Sequence, residues 1–171
     1  MISAPLQQLL NDQIQKELYS AYFYLSMRAW CADRNLDGFA NFFDVQVKEE
    51  RDHGLKFYDY ILHVGGRVML QAIEAPPVEF ASPLDIFEQT YKHEQFVTAS
   101  IYNIVNQAIE EKDHKTNSFL QWFVDEQAEE ENTADGIRRK LQMVGDNTQG
   151  LMMLDAELAK RVYTPIAPSA T

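Results

Sequence analysis

LDGFANFFDVQVKEERDHGLKFYDYILHVGG, residues 36–66, is the stretch that decides the fold. Phe39, Phe43, Gln46, Glu50, His53, Phe57, Tyr60 and Val64 follow one another at alternating steps of four and three, the spacing of one helical face packed in a bundle. Gly65 and Gly66 end the pattern, because a left-handed C-cap costs glycine nothing. At the midpoint of this apolar face stand Glu50 and His53, where the pattern asks for Leu or Phe. Removing an ionised carboxylate from water costs several kcal/mol or forces it to take a proton. The pair therefore calls for a compensating charge.

Working outward, three more segments carry the same spacing. The first, about Ala4 to Asp33, has Leu6, Leu10, Gln13, Glu17, Ser20, Tyr24, Met27 and Cys31 on its face. The third, about Pro83 to Glu111, has Leu84, Phe87, Tyr91, Glu94, Thr98, Ile101, Val105 and Ala108; Ser82 can cap it and Pro83 suits its first turn. The fourth, about His114 to Val144, has Leu120, Phe123, Gln127, Glu130, Ala134, Ile137, Leu141 and Val144, and stops at Gly145. Each has its polar exception near its middle.

The connections set the topology. Segments one and two, and three and four, are separated by a few residues, so each pair forms an antiparallel hairpin. Residues 66–81 contain Pro76-Pro77 and cannot be helical throughout. A helix of about 30 residues is roughly 45 Å long, and a chain of this connection's length reaches about 50 Å when extended. The connection can run the length of the bundle. The fold class is all-α, a ferritin-like four-helix bundle with one long crossover between helices two and three.

A short fifth helix is expected at about Thr148 to Arg161, with Leu151, Met152, Met153, Leu154 and Leu158. Four helices already close the bundle, so the apolar face of the fifth is expected to find cover on another subunit. The chain thus divides into a bundle over 1–145, a fifth helix at subunit contacts over 146–163, and an unstructured tail over 164–171, all within a single domain.

Composition narrows the function. The chain has 171 residues, 46% of them hydrophobic, and a formal charge of −11 from 15 basic and 26 acidic side chains. That length supports a substantial core. The acidic surplus argues against nucleic acid, which is held by Lys and Arg, and favours cations. No apolar run approaches the roughly 18 residues of a membrane span, and no signal-peptide pattern precedes the first helix. The lone Cys31 excludes an internal disulfide and, lying on an apolar seam, reads as a packing residue. A cytoplasmic location is expected.

Helices of similar length meet at their midpoints, and a three-residue offset is only about 4–5 Å along an axis. Glu17, Glu50, His53, Glu94, Gln127 and Glu130 should therefore converge on one small volume. Glu50 and His53, three apart, share a face, as in di-metal carboxylate bundles. Four carboxylates, one imidazole and one carboxamide form a hard, oxygen-rich set that favours iron or manganese over zinc or copper. Four negative charges balance two divalent ions. The plainer alternative is a buried polar network that fixes bundle register. It accounts for Gln13 and Gln46, away from the centre, but poorly for the six together. His63, His93 and His114 lack such company and read as surface or capping residues.

These residues carry a resemblance. KELYSAYFYLSM (16–27), VKEERDHGLKF (47–57), YKHEQFV (91–97) and FLQWFVDEQAEEE (119–131) make the chain resemble bacterial and archaeal non-haem ferritins along nearly its whole length. The resemblance implies a homo-oligomer, a hollow octahedral shell of two dozen subunits that oxidises Fe²⁺ with O₂ or H₂O₂ and stores ferric mineral. It implies a di-iron ferroxidase centre at Glu17, Glu50, His53, Glu94 and Glu130 with Gln127 alongside, and Tyr24 beside the irons. It also implies a third iron site at Glu49, Glu126 and Glu129 with Glu130, residues that periodicity alone makes solvated charges. Gln127-Ala128-Glu129-Glu130 stands where bacterioferritin and rubrerythrin carry a second Glu-x-x-His. Asp52 matches bacterioferritin's haem-ligating Met, so haem is not expected.

Two other classes remain to be weighed. A di-iron oxidoreductase acting on an organic substrate needs an apolar pocket beside the metals, where the seams place Tyr24, Phe57 and Phe123. A non-catalytic metal-sequestering cage needs no such ligand set.

Overall fold

The structure is a computed structural model, and it describes residues 2–166. Five helices follow one another: α1 (Ala4–Asp33), α2 (Asp37–His63), α3 (Pro83–Glu110), α4 (His114–Val144) and α5 (Thr148–Leu158). Local chemistry sets their ends. Ser3 Oγ accepts from Leu6 N at 3.2 Å, Ser82 Oγ from Asp85 N at 3.0 Å, Asp113 Oδ1 from Thr116 N at 3.1 Å and Asn147 Oδ1 from Gly150 N at 3.0 Å. Each satisfies an amide the helix leaves unpaired. Asn35 and Lys112, both at φ 57°, reverse the chain after α1 and α3. No helix is long and apolar enough to cross a membrane among the described residues.

α1 pairs chiefly with α2, and α3 with α4. The crossover between the pairs runs along α1 as its length permits. Near one end Asn11 Nδ2 donates to Arg67 O at 3.0 Å, and Asn11 Oδ1 accepts from Met69 N at 2.6 Å. Toward the other end Ser26 Oγ donates to Pro77 O at 2.5 Å, and the rings of Trp30 and Phe80 meet edge-on at 6.2 Å.

Two apolar clusters fill the bundle, one toward each end. One gathers Tyr24, Met27, Cys31, Phe39, Phe43 and Phe87; the other gathers Leu6, Leu10, Phe57, Ile61, Ile101 and Phe123. Burial of each such large side chain stabilises by about 1.5–3 kcal/mol. These clusters hold the helices rigidly on either side of the polar layer between them.

The fifth helix departs from expectation. Leu154 and Leu158 are buried in this chain's own cluster with Leu36, Phe39, Phe42 and Leu141, so no second subunit is needed to cover them. Four helices close the sides of a bundle but leave its ends open, and α5 seals one end. Met152 and Met153 point away and are 50% and 69% exposed. The helix stops at Leu158, and residues 161–166 have no regular secondary structure; the rest of the expected tail, 167–171, lies outside the described residues.

Candidate metal centre

Each bundle helix delivers ligand-type side chains to the polar layer: Glu17 from α1, Glu50 and His53 from α2, Glu94 from α3, Gln127 and Glu130 from α4. All six are buried, the most open being Glu130 at 6%. Donor atoms of Glu17, Glu50 and His53 lie within 4.8 Å of one another, a spacing that one cation can bridge. His53 Nδ1 is 3.5 Å from Glu50 Oε2.

Hydrogen bonds tie the remaining members in. Tyr24 OH donates to Glu94 Oε1. Gln127 Nε2 donates to Glu94 Oε2 at 3.2 Å and to Thr98 Oγ1 at 3.3 Å. Gln46 Nε2 donates to Glu130 Oε2 at 3.0 Å, and Gln13 Nε2 to Glu17 Oε1 at 2.9 Å. Ser100 Oγ in turn donates to Gln13 Oε1 at 2.7 Å. Gln13 and Gln46 are therefore not remote register residues: each orients one carboxylate of the centre. Glu17 Oε2 is buried with no hydrogen-bond partner among the described residues, an acceptor left over for a ligand.

The electrostatics are strained. Burial, then the charges of Glu94, Glu17 and Glu130, push the Glu50 carboxyl well above its ordinary range. Burial and the Glu130 charge raise Glu94 to about 8, against hydrogen bonds from Tyr24 and Gln127 that pull it down. Burial also raises Glu130, partly offset by His53 and Arg161. Among the described residues, these four Glu form no ion pair with Lys or Arg. Without a metal, such a group must hold protons; with divalent cations, it can give them up. Hard oxygen donors with one imidazole suit Fe²⁺.

The flanking acids are unequal. Glu49 and Glu126 are half-buried, and Glu129 is exposed. Glu49 Oε2 lies 2.6 Å from Arg161 Nη2. Burial raises both the Glu49 and Glu126 carboxyls. Glu129 makes no side-chain hydrogen bond or ion pair among the described residues, and its place is shown only by its helix position.

His93 is not a surface residue. Its Nε2 lies 2.8 Å from Ser20 Oγ, and its ring packs on Phe23 at 5.1 Å and edge-on to Tyr24 at 6.0 Å. Burial lowers its pKa to about 4, so it is a neutral prop behind Tyr24. Nothing in the helical period singled it out; only its adjacency to Glu94 hinted at it. His63 and His114 are exposed at helix ends, as expected.

Comparison with known proteins agrees with this geometry. The Ferritin-like domain family matches residues 7–144. The chain is 43% identical over 155 residues to a bacterial non-heme ferritin of Campylobacter jejuni, covering 91% of this chain and 93% of that one. It is 43% identical over 163 residues to that of Staphylococcus epidermidis, covering 95% and 98%. An open-pore ferritin from the archaeon Archaeoglobus fulgidus superimposes with a TM-score of 0.94 at 46% identity, covering 95% of this chain and all of that one. A match that spans the bundle and contains every residue of the buried carboxylate layer leaves one assignment: the chain belongs to the ferritin family.

Proposed function

We infer that this chain is an iron-storage protein with ferroxidase activity, which oxidises Fe²⁺ at the centre inside each subunit. Glu17, Glu50, His53, Glu94 and Glu130 hold two Fe²⁺ ions, and Gln127 lies alongside. The observation that carries this is the gathering of four buried carboxylates and one imidazole in one layer, none of the four in an ion pair with Lys or Arg among the described residues. Two Fe²⁺ ions supply two electrons, which with two protons reduce O₂ to H₂O₂, or H₂O₂ to water. Tyr24 holds Glu94 in place through its hydroxyl and closes the apolar side of the site. Glu49, Glu126 and Glu129, with Glu130, hold a third iron.

The ferric product passes to the interior of a homo-oligomeric shell in the cytoplasm, an octahedral assembly of two dozen subunits. Exposed Leu62, Leu70, Ile73, Met152 and Met153 supply apolar surface for subunit contacts. Sedimentation of the purified protein tests the assembly: a particle of two dozen subunits is expected, and a monomer or dimer would overturn it.

Two cavities of about 490 Å³ among the described residues are lined by residues such as Lys16, Gln71 and Phe96, or Phe23, Lys92 and His93, and by none of the six ligand-type residues. That favours metal ions over an organic substrate. The test is stopped-flow absorbance after mixing Fe²⁺ with the assembled Glu50→Ala/Glu130→Ala protein. Loss of fast oxidation with assembly intact is expected, because these ligands add charge repulsion rather than core packing. Wild-type rates would overturn the assignment.

A further inference from the structure

After α5 the chain turns back onto the bundle instead of leaving it. Asn41 Nδ2, near the start of α2, donates to the carbonyls of Leu158, Ala159 and Arg161 at 3.2, 3.4 and 3.0 Å. Further along α2, Asp52 accepts from Tyr163 OH. Between these anchors the Arg161 side chain lies against the helix. Its guanidinium is 4.4 Å from the centroid of the Phe42 ring, and its Nη2 is 2.6 Å from Glu49 Oε2.

This ion pair is unlike an ordinary surface bridge. The side chains of Arg161 and Glu49 are only 25% and 20% exposed, and Arg161 Nη1 is buried without a hydrogen-bond partner among the described residues. A bridge built only for stability would use the donors of the guanidinium fork on carboxylates or carbonyls. Here one amino group of the fork, Nη1, finds no such acceptor among the described residues. The charge of Arg161 also reaches Glu126 and Glu130, drawing both carboxyls down against their burial. Of the flanking acids, the one it contacts directly is Glu49.

We propose that Arg161 is a tethered counter-cation of the third iron site. Its guanidinium occupies Glu49, and a third Fe²⁺ binds there only as the C-terminal strap lets go. This rests on the assignment of Glu49, Glu126, Glu129 and Glu130 to a third iron. The di-iron pair needs no such displacement, so the two inner ions bind first and the third follows with an affinity set by the strap. Arg161 is a positioning residue: it touches a ligand, not the metal.

The experiment is calorimetric titration of the assembled protein with Fe²⁺ under strict exclusion of oxygen, paired with a count of bound iron per subunit. Arg161→Gln removes the charge and leaves a shorter, uncharged polar side chain, and Arg161→Lys keeps the charge. The third binding event should tighten by roughly fivefold in Arg161→Gln, the equivalent of losing one partly shielded ion pair. It should stay close to wild type in Arg161→Lys. Unchanged third-site affinity in Arg161→Gln overturns the proposal, as does equal tightening in both variants. Glu49→Gln separates the two levels of inference: if it too leaves three ions bound with wild-type affinity, the third site itself is wrongly placed. If it weakens only the third event while Arg161→Gln does nothing, the site stands and the tether falls.

Discussion

Asp155 on α5 accepts hydrogen bonds from the backbone amides of Gly38 and Phe39 in the first turn of α2, at 2.9 and 3.0 Å. The residue at the N-cap of α2, Leu36, offers no side-chain bond of its own. A carboxylate from more than a hundred residues away thus does the work that Ser3, Ser82 and Asp113 do locally for their helices, and its charge suits the positive end of the helix dipole. The contact is close: a Cβ on Gly38 would lie 1.7 Å from the Asp155 carbonyl oxygen.

Asp155→Ala should therefore destabilise the subunit by about 1–2 kcal/mol, since it leaves two buried amides unpaired. Asp155→Asn, which keeps an acceptor, should cost less. Gly38→Ala should cost more than either, because α5 must move off the bundle. Denaturant midpoints followed by circular dichroism would rank the three, and an Asp155→Ala midpoint equal to wild type would deny the cap any energetic role.

Truncation after Asn147 removes Leu154 and Leu158 from the cluster that holds Phe39 and Phe42. At about 1.5–3 kcal/mol for each buried Leu, the isolated bundle should keep its helices but melt earlier. An unchanged melting midpoint with a failing shell would instead place the value of α5 wholly at subunit contacts.

Substituting Glu49, Glu126 and Glu129 together by Ala should leave two irons bound per subunit and change the ratio of iron oxidised to oxygen consumed. An oxygen electrode with anaerobic iron counting measures both. An unaltered ratio with three irons bound makes these residues plain solvated charges.

Glu94 holds its proton up to about pH 8 in the folded chain, against 4.5 for an ordinary Glu. Glu50 and Glu130 are shifted in the same direction. Between those values the folded, metal-free protein binds more protons than the unfolded chain, so its stability should fall as pH rises from about 5 to 8. Fe²⁺ binding should release protons and reverse that loss. Thermal midpoints across the pH range and an indicator dye in weak buffer are the measurements. No release from the wild type, or equal release from Glu50→Ala/Glu130→Ala, would contradict a strained buried site.

The sequence by itself determined the four long helices, their pairing and the carboxylate layer. Each is written in a short-range pattern: the four-three spacing that puts Leu10, Glu17 and Tyr24 on one face, the cap at Ser82, and the prolines that keep residues 66–81 out of helix. The converging ligands were legible because helices of equal length meet at their midpoints whatever else they do. Tertiary structure alone decided the rest. Gln46 lies one turn before Glu50 yet bonds Glu130 on another helix; His93 faces Ser20; Asp155 caps α2; Arg161 reaches Glu49. Helical periodicity records which face turns inward, but not which residue of a neighbouring helix stands opposite, nor what closes the open end of a bundle. Those pairings join groups far apart in the chain, and only the packed arrangement of the helices brings them within bonding distance.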